Sequence, residues 1–283
     1  MKRRTVVEVI DGHATQDGSG VKLLRIFGGQ GLERFDPFLM LDDFGSSTPD
    51  DYIRGFPRHP HRGMITVSYM LSGSFEHRDH LGHVETIHAG GVQWMTAGRG
   101  IIHSEMPLQT EGLVRGFQLW INLPSHQKMM SPSYQNVQSD ELHHACVKHL
   151  KITAIAGSAV INGEDLSAHT YVPVSEPLYW HITNMASQSR LVSVALTDGH
   201  TALVYVVAGQ AAGATAGQLM RYSAEGRLEF ELAEGAQVLL LAGRPLREPI
   251  VQYGPFVMNS QAQIEQAIED YQTGEFVANM SQS

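Results

Sequence analysis

Apolar and polar residues alternate in short runs along most of this chain. Clear examples are residues 64–71 (MITVSYML) and 116–122 (GFQLWIN), and many such runs end at a turn that contains glycine. Because successive side chains of a strand point to opposite faces of a sheet, this two-residue period predicts many short strands in a sandwich or barrel. The 28 glycines and 12 prolines are typical of such a turn-rich β protein.

A three- to four-residue period is clearest near the C-terminus, from Ser260 to about Tyr271. Ile264, Ile268 and Tyr271 follow one another at i, i+4 and i+7, which places them on one face of a helix. Ser260 and Gln263 have the spacing of a capping box. The pattern predicts one short helix that packs against the rest of the fold.

The chain also resembles itself. Residues 69–73 (YMLSG) are similar to 205–209 (YVVAG), and in the same order 91–99 are similar to 235–244. Each piece reads as a strand that ends in a glycine turn. The shared order predicts two copies of one β unit, joined by the polar, irregular segment that precedes residue 151.

Composition narrows the classes of function. With a formal net charge of −9 and one dense basic run at residues 2–4, the chain is not expected to bind nucleic acid directly. A single cysteine, Cys146, excludes an intrachain disulfide and favours a reducing compartment. No signal peptide or membrane span is recognisable, so we expect a cytoplasmic protein that has no membrane partner.

Two pairs of residues have a sequence spacing that is typical of metal ligands. His59 and His61 lie at i and i+2, and His103 and Glu105 repeat that spacing after a glycine-rich turn. On neighbouring strands, both pairs can face one ion. Imidazole suits Fe, Cu, Ni or Zn and carboxylate suits harder ions, so the mixture fits Fe(II), Mn(II) or Ni(II) with two positions left open.

The other histidines of the first half are spaced loosely. We expect them to be solvated residues of loops and strands, and they are His77, His80, His83 and His88. In the second half, the repeat alignment leaves no ligand cluster opposite the four candidates; the residues there are Ala195, Thr197, Glu248 and Ile250. The sequence therefore predicts a single metal site, in the first half.

Longer stretches carry a resemblance to a known family. They are FDPFLMLDDF at 35–44, FPRHPHRG at 56–63 and QWMTAGRGIIHSEMP at 93–107, with GRPLREP at 243–249 and GPFVMN at 254–259 near the C-terminus. Together they resemble the pirins of the cupin superfamily over nearly the whole chain.

The resemblance implies an all-β bicupin, in which two antiparallel jelly-roll β-barrels are followed by a short C-terminal helix. The expected divisions are a metal-binding cupin at 1–130, a connection at 131–150, a degenerate cupin at 151–245 and a C-terminal segment at 246–283 that returns to the first barrel. Pirins hold a mononuclear iron, and the ligands carried over by motif are His59, His61, His103 and Glu105.

One position departs from the family pattern. Many pirins read His-Pro-His-Arg-Gly-Phe-Glu-Thr, whereas this chain has Ile65 at the place of the glutamate. That glutamate serves as a ligand in many other cupins, but in pirins the fourth ligand is the equivalent of Glu105. We therefore expect the site to be intact and its surroundings to be less polar.

The resemblance implies two functions. The first is a quercetin 2,3-dioxygenase-like oxidoreductase that opens a flavonol with dioxygen; Fe(II) is the expected metal, and Mn, Ni, Cu and Zn are alternatives. Glu105 is then both ligand and catalytic base, and Phe56, Met70 and Gln118 are the expected pocket residues. The alternative is a redox-dependent module that binds a transcription factor or a metabolic enzyme. A bicupin whose metal is only structural ranks third.

Overall fold

The computed structural model describes residues 2–170, 172 and 174–277, and these are mostly β-strand with one α-helix. The all-β prediction with a short C-terminal helix is confirmed. Residues 278–283, the end of the expected C-terminal segment, lie outside the described residues. In the part of the chain that is described, no helix is long and apolar enough to cross a membrane.

The strands are short and follow one another closely. In chain order they are β1 (Val6–Asp11), β2 (His13–Asp17), β3 (Val21–Gly28), β4 (Phe38–Ser46), β5 (Phe56–His61), β6 (Met64–Ser72), β7 (Phe75–Asp79), β8 (Val84–Ile87), β9 (Val92–Thr96), β10 (Ile101–Pro107), β11 (Val114–Asn122), β12 (Ser133–Val137), β13 (His143–Val147), β14 (Leu150–Ala156), β15 (Ser158–Ile161), β16 (Glu164–Ser167), β17 (Leu178–Asn184), β18 (Arg190–Ala195), β19 (Thr201–Ala208), β20 (Gln210–Ala211), β21 (Ala214–Thr215), β22 (Gln218–Tyr222), β23 (Leu228–Leu232), β24 (Gln237–Gly243), β25 (Val251–Tyr253) and β26 (Phe256–Met258). Helix α1 spans Gln261–Thr273, and short 3₁₀ turns lie at Leu32–Arg34, Pro49–Asp51, Ser125–Gln127 and Ser139–Glu141.

The strands belong to two compact units. The histidine unit contains residues 14–34, 38–139 and 246–277, and the apolar unit contains residues 2–13, 35–37 and 140–245. Both have two main sheets and are jelly-roll-like sandwiches rather than closed barrels.

In the histidine unit, a seven-stranded sheet (β12-β9-β6-β11-β4-β3-β2) is accompanied by a four-stranded sheet (β5-β10-β7-β8). Strand β11 shows how sequence alternation is used. Phe117, Leu119 and Ile121 are fully buried on one face, while Gln118 and Trp120 alternate with them and are partly exposed. The side that carries Gln118 is therefore open to a cavity instead of being packed.

The C-terminal segment of this unit is held by its helix. Ser260 caps α1 by accepting a hydrogen bond from the Gln263 backbone N–H at 3.3 Å, as the sequence predicted. Ile264 is buried and Ile268 is partly buried. Tyr271, expected on the same face, is 42% exposed, and its ring meets those of Phe256 and Phe276 in T-shaped pairs.

Two glycines allow the tight turns that follow the first histidine motif and precede the second. Gly63 has φ +83°, and a Cβ atom there would lie 2.0 Å from the Val257 carbonyl oxygen. Gly98 has φ +51°, and its Cβ would lie 2.2 Å from the Met130 carbonyl oxygen. The Gly63 N–H donates to the Gly98 carbonyl at 2.8 Å, so both turns depend on the absence of a side chain.

The apolar unit contains a seven-stranded sheet (β1-β22-β19-β24-β17-β14-β13) and a six-stranded sheet (β16-β15-β18-β23-β20-β21). Its edge strand β1 comes from the N-terminus of the chain and pairs antiparallel with β22. The repeat noticed in the sequence corresponds to equivalent neighbours, because β6 pairs with β9 in one unit and β19 pairs with β24 in the other.

Two details differ from the sequence interpretation. Segment 131–150 is more regular than its polar sequence indicates, since it contains β12 and β13, which pair with β9 and β14. Residues 2–13 group with the apolar unit rather than with the first half of the chain. Glu248, which the repeat alignment put opposite His103, lies in the expected C-terminal segment; it belongs to the histidine unit and accepts hydrogen bonds from Ser125 at 2.7 and 3.1 Å.

Candidate metal centre

Three histidines converge at one end of the four-stranded sheet. His59 and His103 are direct cross-strand partners in β5 and β10, so the expectation of neighbouring strands is confirmed. His61 lies two residues further along β5, on the same side. One ligand atom from each of these histidines can be chosen so that the three lie within 4.8 Å of one another, which is an arrangement that can hold a metal ion.

The two fully buried imidazoles, His61 and His103, are in the neutral state that a metal requires. Burial lowers the pKa of His61 and of His103 well below the ordinary histidine value, and the other histidines lower it further, so both rings are neutral. His59 Nδ1 lies 2.8 Å from the Pro57 carbonyl oxygen and donates to it, which leaves its Nε2 as an electron-pair donor. His59 Nε2 faces His103 Nε2 at 2.9 Å.

Unsatisfied nitrogens test whether a metal fits here. Both ring nitrogens of His61, and Nδ1 of His103, are buried without a hydrogen-bond partner. A buried polar group left unpaired costs about 1–3 kcal/mol. A metal ion bound by these rings would satisfy one of the two His61 nitrogens. The residues present therefore fit a mononuclear centre.

Glu105 lies two residues beyond His103 on β10 and is 3% exposed. Its Oε1 accepts a hydrogen bond from Ser68 Oγ at 2.8 Å, and its Oε2 accepts one from Gln118 Nε2 at 3.1 Å. Glu105 is not part of the close group that the three histidines form. The carboxylate is instead anchored on the seven-stranded sheet, beside the triad.

The remaining histidines do not all behave as expected. His83 and His88 are exposed, but His77 is fully buried, so the interpretation of His77 as a solvated residue was wrong. His77 is opposite Glu105 on β7, and its ring centroid lies 4.9 Å from that of His103. The sequence signal that was missed is alternation, because His77 follows buried Phe75 by two residues. His80 is partly exposed.

A cavity of about 670 Å³ opens beside the triad. Its apolar wall includes Phe44, Phe56 and Phe75, whose ring centroids are 5.4–6.3 Å apart. The predicted pocket residues Phe56 and Gln118 line this cavity. Met70 does not line it; it is fully buried in the apolar cluster that contains Phe44 and Phe75. At the other side, Trp120 lines the cavity and meets His61 edge-on at 5.3 Å.

A polar row crosses the floor of the cavity. Ser68, Gln118, Asp42 and Arg25 are successive cross-strand partners on β6, β11, β4 and β3. Arg25 donates to Asp42 at 2.9 and 2.7 Å and to Asp17 at 2.8 Å. The cavity thus combines aromatic walls with a line of hydrogen-bonding groups, which suits a flat ligand that carries several hydroxyl groups.

Ile65 occupies the position of the usual cupin glutamate. It is 3% exposed. Ile65 and Ser68 are three residues apart on β6, so their side chains point to opposite faces of the sheet. Among the described residues that line the cavity, Ile65 is absent. The substitution therefore leaves the polar row unchanged.

The interior of the apolar unit explains why it has no equivalent centre among its described residues. Its core is a continuous cluster of large apolar side chains, which include Trp180, Ile182, Val204, Met220, Phe230 and Leu240. Among the described residues of the whole chain, the three histidines are the one group of metal-binding side chains that comes close enough.

Comparison with known proteins gives a consistent result. Residues 20–121 match the family model Pirin, and residues 179–277 match the model described as Pirin C-terminal cupin domain. A Pseudomonas aeruginosa protein, provisionally named as a quercetin 2,3-dioxygenase, is 47% identical, and the match covers 96% of this chain and 97% of the relative. Pirin of Rattus norvegicus is 38% identical, with 90% and 87% covered. A crystal structure of quercetin 2,3-dioxygenase from Acinetobacter baumannii has a TM-score of 0.87 at 32% identity and covers 97% of this chain and 99% of that chain.

Proposed function

Because this chain belongs to the pirin family, we propose that it is a mononuclear non-haem metal dioxygenase that opens the ring of a flavonol such as quercetin. The observation that carries the proposal is the histidine triad at the edge of an aromatic-walled cavity with a polar floor. Relatives named for quercetin 2,3-dioxygenase activity give the reaction class.

The proposed ligands are His59, His61, His103 and Glu105. Iron(II) is the first choice, and Mn, Ni, Cu and Zn are the alternatives, since imidazole and carboxylate together suit several of these ions. Bound there, such a metal supplies Lewis-acid and oxygen chemistry at its open positions. The lone cysteine, Cys146, is exposed, which agrees with a reducing cytoplasm as the proposed compartment.

The protein's own residues prepare the substrate. Glu105, within the cavity lining, takes the proton of the flavonol hydroxyl group, because the resulting anion is the electron-rich form that reacts with dioxygen. The aromatic wall of Phe44, Phe56 and Phe75 holds the planar rings and excludes water. The overall reaction consumes one dioxygen, opens the central ring and releases carbon monoxide.

Metal analysis followed by a quercetin assay tests this proposal. With iron loaded, we expect loss of quercetin absorbance together with oxygen uptake. The variant Glu105→Ala, with its metal content measured, should lose at least about 100-fold in turnover, since general acid–base catalysis contributes about 10²–10⁴-fold. The exposed Glu85, on β8, provides the matched control Glu85→Ala, which should keep full activity.

Two results would contradict the proposal. Failure to bind any transition metal after reloading would show that the proposed metal centre does not exist. Full metal occupancy without turnover of any flavonol in a panel would exclude the proposed dioxygenase activity. It would favour the alternative, a module that binds a transcription factor or a metabolic enzyme. Binding of such a protein that differs between Fe(II) and Fe(III) would then identify the module.

A further inference from the structure

The carboxylate of Glu105 is held at both oxygens by two residues of the opposite sheet. Ser68 Oγ lies 2.8 Å from Oε1, and Gln118 Nε2 lies 3.1 Å from Oε2. Ser68 and Gln118 are themselves direct partners on β6 and β11. Ser68 is 3% exposed, so water does not compete freely for its hydroxyl group.

Ser68 and Gln118 differ in the number of hydrogens that they can donate to Glu105. Ser68 Oγ also lies 2.8 Å from Gln118 Oε1, but a hydroxyl group has only one hydrogen to donate. Glu105 Oε1 and Gln118 Oε1 are both acceptors, so they compete for that hydrogen. The Gln118 amide group has two hydrogens, and one of them is donated to Glu105 Oε2.

The same matching of donors and acceptors fixes the orientation of the Gln118 amide group. If its oxygen and nitrogen were exchanged, Gln118 Oε1 would face Glu105 Oε2, and two acceptors would meet at 3.1 Å. The observed orientation avoids this repulsion. Gln118 is therefore the constant donor to Glu105, and Ser68 is a donor that can move its hydrogen between Glu105 and Gln118.

We propose that Ser68 and Gln118 are positioning residues that set the orientation of the Glu105 carboxylate beside the histidine triad. The inference rests on the proposed function, in which Glu105 is a metal ligand and a base. Each carboxylate oxygen has two lone pairs, so each keeps one for the metal or the substrate after accepting its hydrogen bond. If Glu105 turned towards a bound metal, Ser68 would donate to Gln118 Oε1 instead, and its buried hydroxyl group would stay paired.

Binding of Co(II) to the full chain tests this role without flavonol or dioxygen. Affinity is measured by titration, and the visible d–d spectrum reports the ligand environment. Loss of a residue that orients a metal ligand typically weakens metal binding by about 10–100-fold, and we expect that loss for Gln118→Leu. Ser68→Ala should lose less than about tenfold, because Gln118 still holds the carboxylate, and Ser68→Thr, which keeps the hydroxyl group, should restore wild-type binding.

A matched control is available in the apolar unit. Ser193 is 8% exposed and its Oγ donates to Glu229 at 3.0 Å, which is the same kind of contact as that between Ser68 and Glu105. Ser193→Ala should leave Co(II) affinity and the spectrum unchanged. Circular dichroism of each variant establishes that it is folded. If Gln118→Leu does not fold, Ser68→Ala still carries the test: its d–d spectrum should differ from that of the wild type, and Ser68→Thr should restore the wild-type spectrum.

A double-mutant cycle decides whether the effect passes through Glu105. In a Glu105→Gln background, Gln118→Leu should cause no further loss of Co(II) affinity. The proposal is overturned if the same loss persists in that background, or if Gln118→Leu and Ser68→Ala both bind Co(II) as the wild type does. A chain that follows the expected cycle but does not consume quercetin would refute the proposed function and leave this positioning role intact.

Discussion

The ammonium group of Lys128 lies 2.8 Å from the carbonyl oxygen of Val257, which is 129 positions further along the chain. The same group donates to the Gly63 carbonyl at 2.9 Å and to Asn122 Oδ1 at 2.7 Å. Lys128 is 1% exposed. Three acceptors surround this one nitrogen, so the turn after the first histidine motif and the C-terminal strand β26 are joined through one buried lysine.

Replacement of Lys128 by methionine should destabilise the histidine unit. The three acceptors would be left buried without a donor, and unsatisfied groups of this kind cost about 1–3 kcal/mol each, partly offset because a buried charge is removed. We expect the free energy of unfolding to fall by about 2–4 kcal/mol in urea titrations. The exposed Lys148 offers the control Lys148→Met, which should stay within about 0.5 kcal/mol of the wild type.

The same lysine predicts a pH dependence. Burial lowers the pKa of Lys128 from 10.5 to about 7, although nearby Glu248 raises it in part. Between these values the unfolded chain binds more protons than the folded chain, and stability contributed by Lys128 therefore rises with pH. The stability difference between wild type and Lys128→Met should grow from pH 7 to pH 10. A difference that is constant or shrinks would show that the folded lysine keeps its proton.

Arg62, next to His61, anchors helix α1. Its Nη1 lies 2.6 Å from Asp270 Oδ2, and its guanidinium group lies 4.3 Å from the centre of the Phe276 ring. Asp270→Asn keeps the shape and removes the charge, so we expect a loss of about 1–3 kcal/mol and faster hydrogen exchange in α1. Glu269→Gln changes an exposed neighbour on the same helix and should have no such effect. Equal exchange in both variants would contradict a role of this ion pair.

The far end of the polar row should contribute to substrate affinity. Arg25 is three strands away from Ser68, and its side chain is 24% exposed at the cavity. Arg25→Met removes charged hydrogen bonds, so KM for quercetin should rise about tenfold while kcat changes less than about threefold. Lys22→Met alters a cation of the same strand whose side chain is 60% exposed, and it should leave KM unchanged. A loss confined to kcat would instead connect Arg25 to the chemical step.

The histidine centre could be predicted because its signal is local. His59 and His61 must face the same side of a strand whatever the fold, and the same holds for His103 and Glu105. The N-cap at Ser260 is local for the same reason. Gln118 was predicted as a pocket residue, but its contact with Glu105, and that of Ser68, could not be found in this way, because both contacts depend on the register of strands that are 13 and 37 residues distant.

Burial was the other property that the sequence did not reveal. His77 lies in a strand with charged neighbours, Glu76 and Arg78, and such a strand reads as solvated from composition alone. Its inward position depends on pairing with β10, which places it opposite Glu105. The strands within 131–150 were missed for a related reason, since polar edge strands gain their order from a partner rather than from their own hydrophobic pattern.

The pairing of β1 with β22 also has a consequence for how this protein is made. Val6 lies opposite Tyr222, so β1 waits until more than two hundred further residues have been synthesised before its partner exists. Closing so long a loop is slow, and until then β1 is an unpaired strand. A deletion that removes β1 therefore acts on the unit that residues 140–245 build, by leaving the edge of β22 open to other chains.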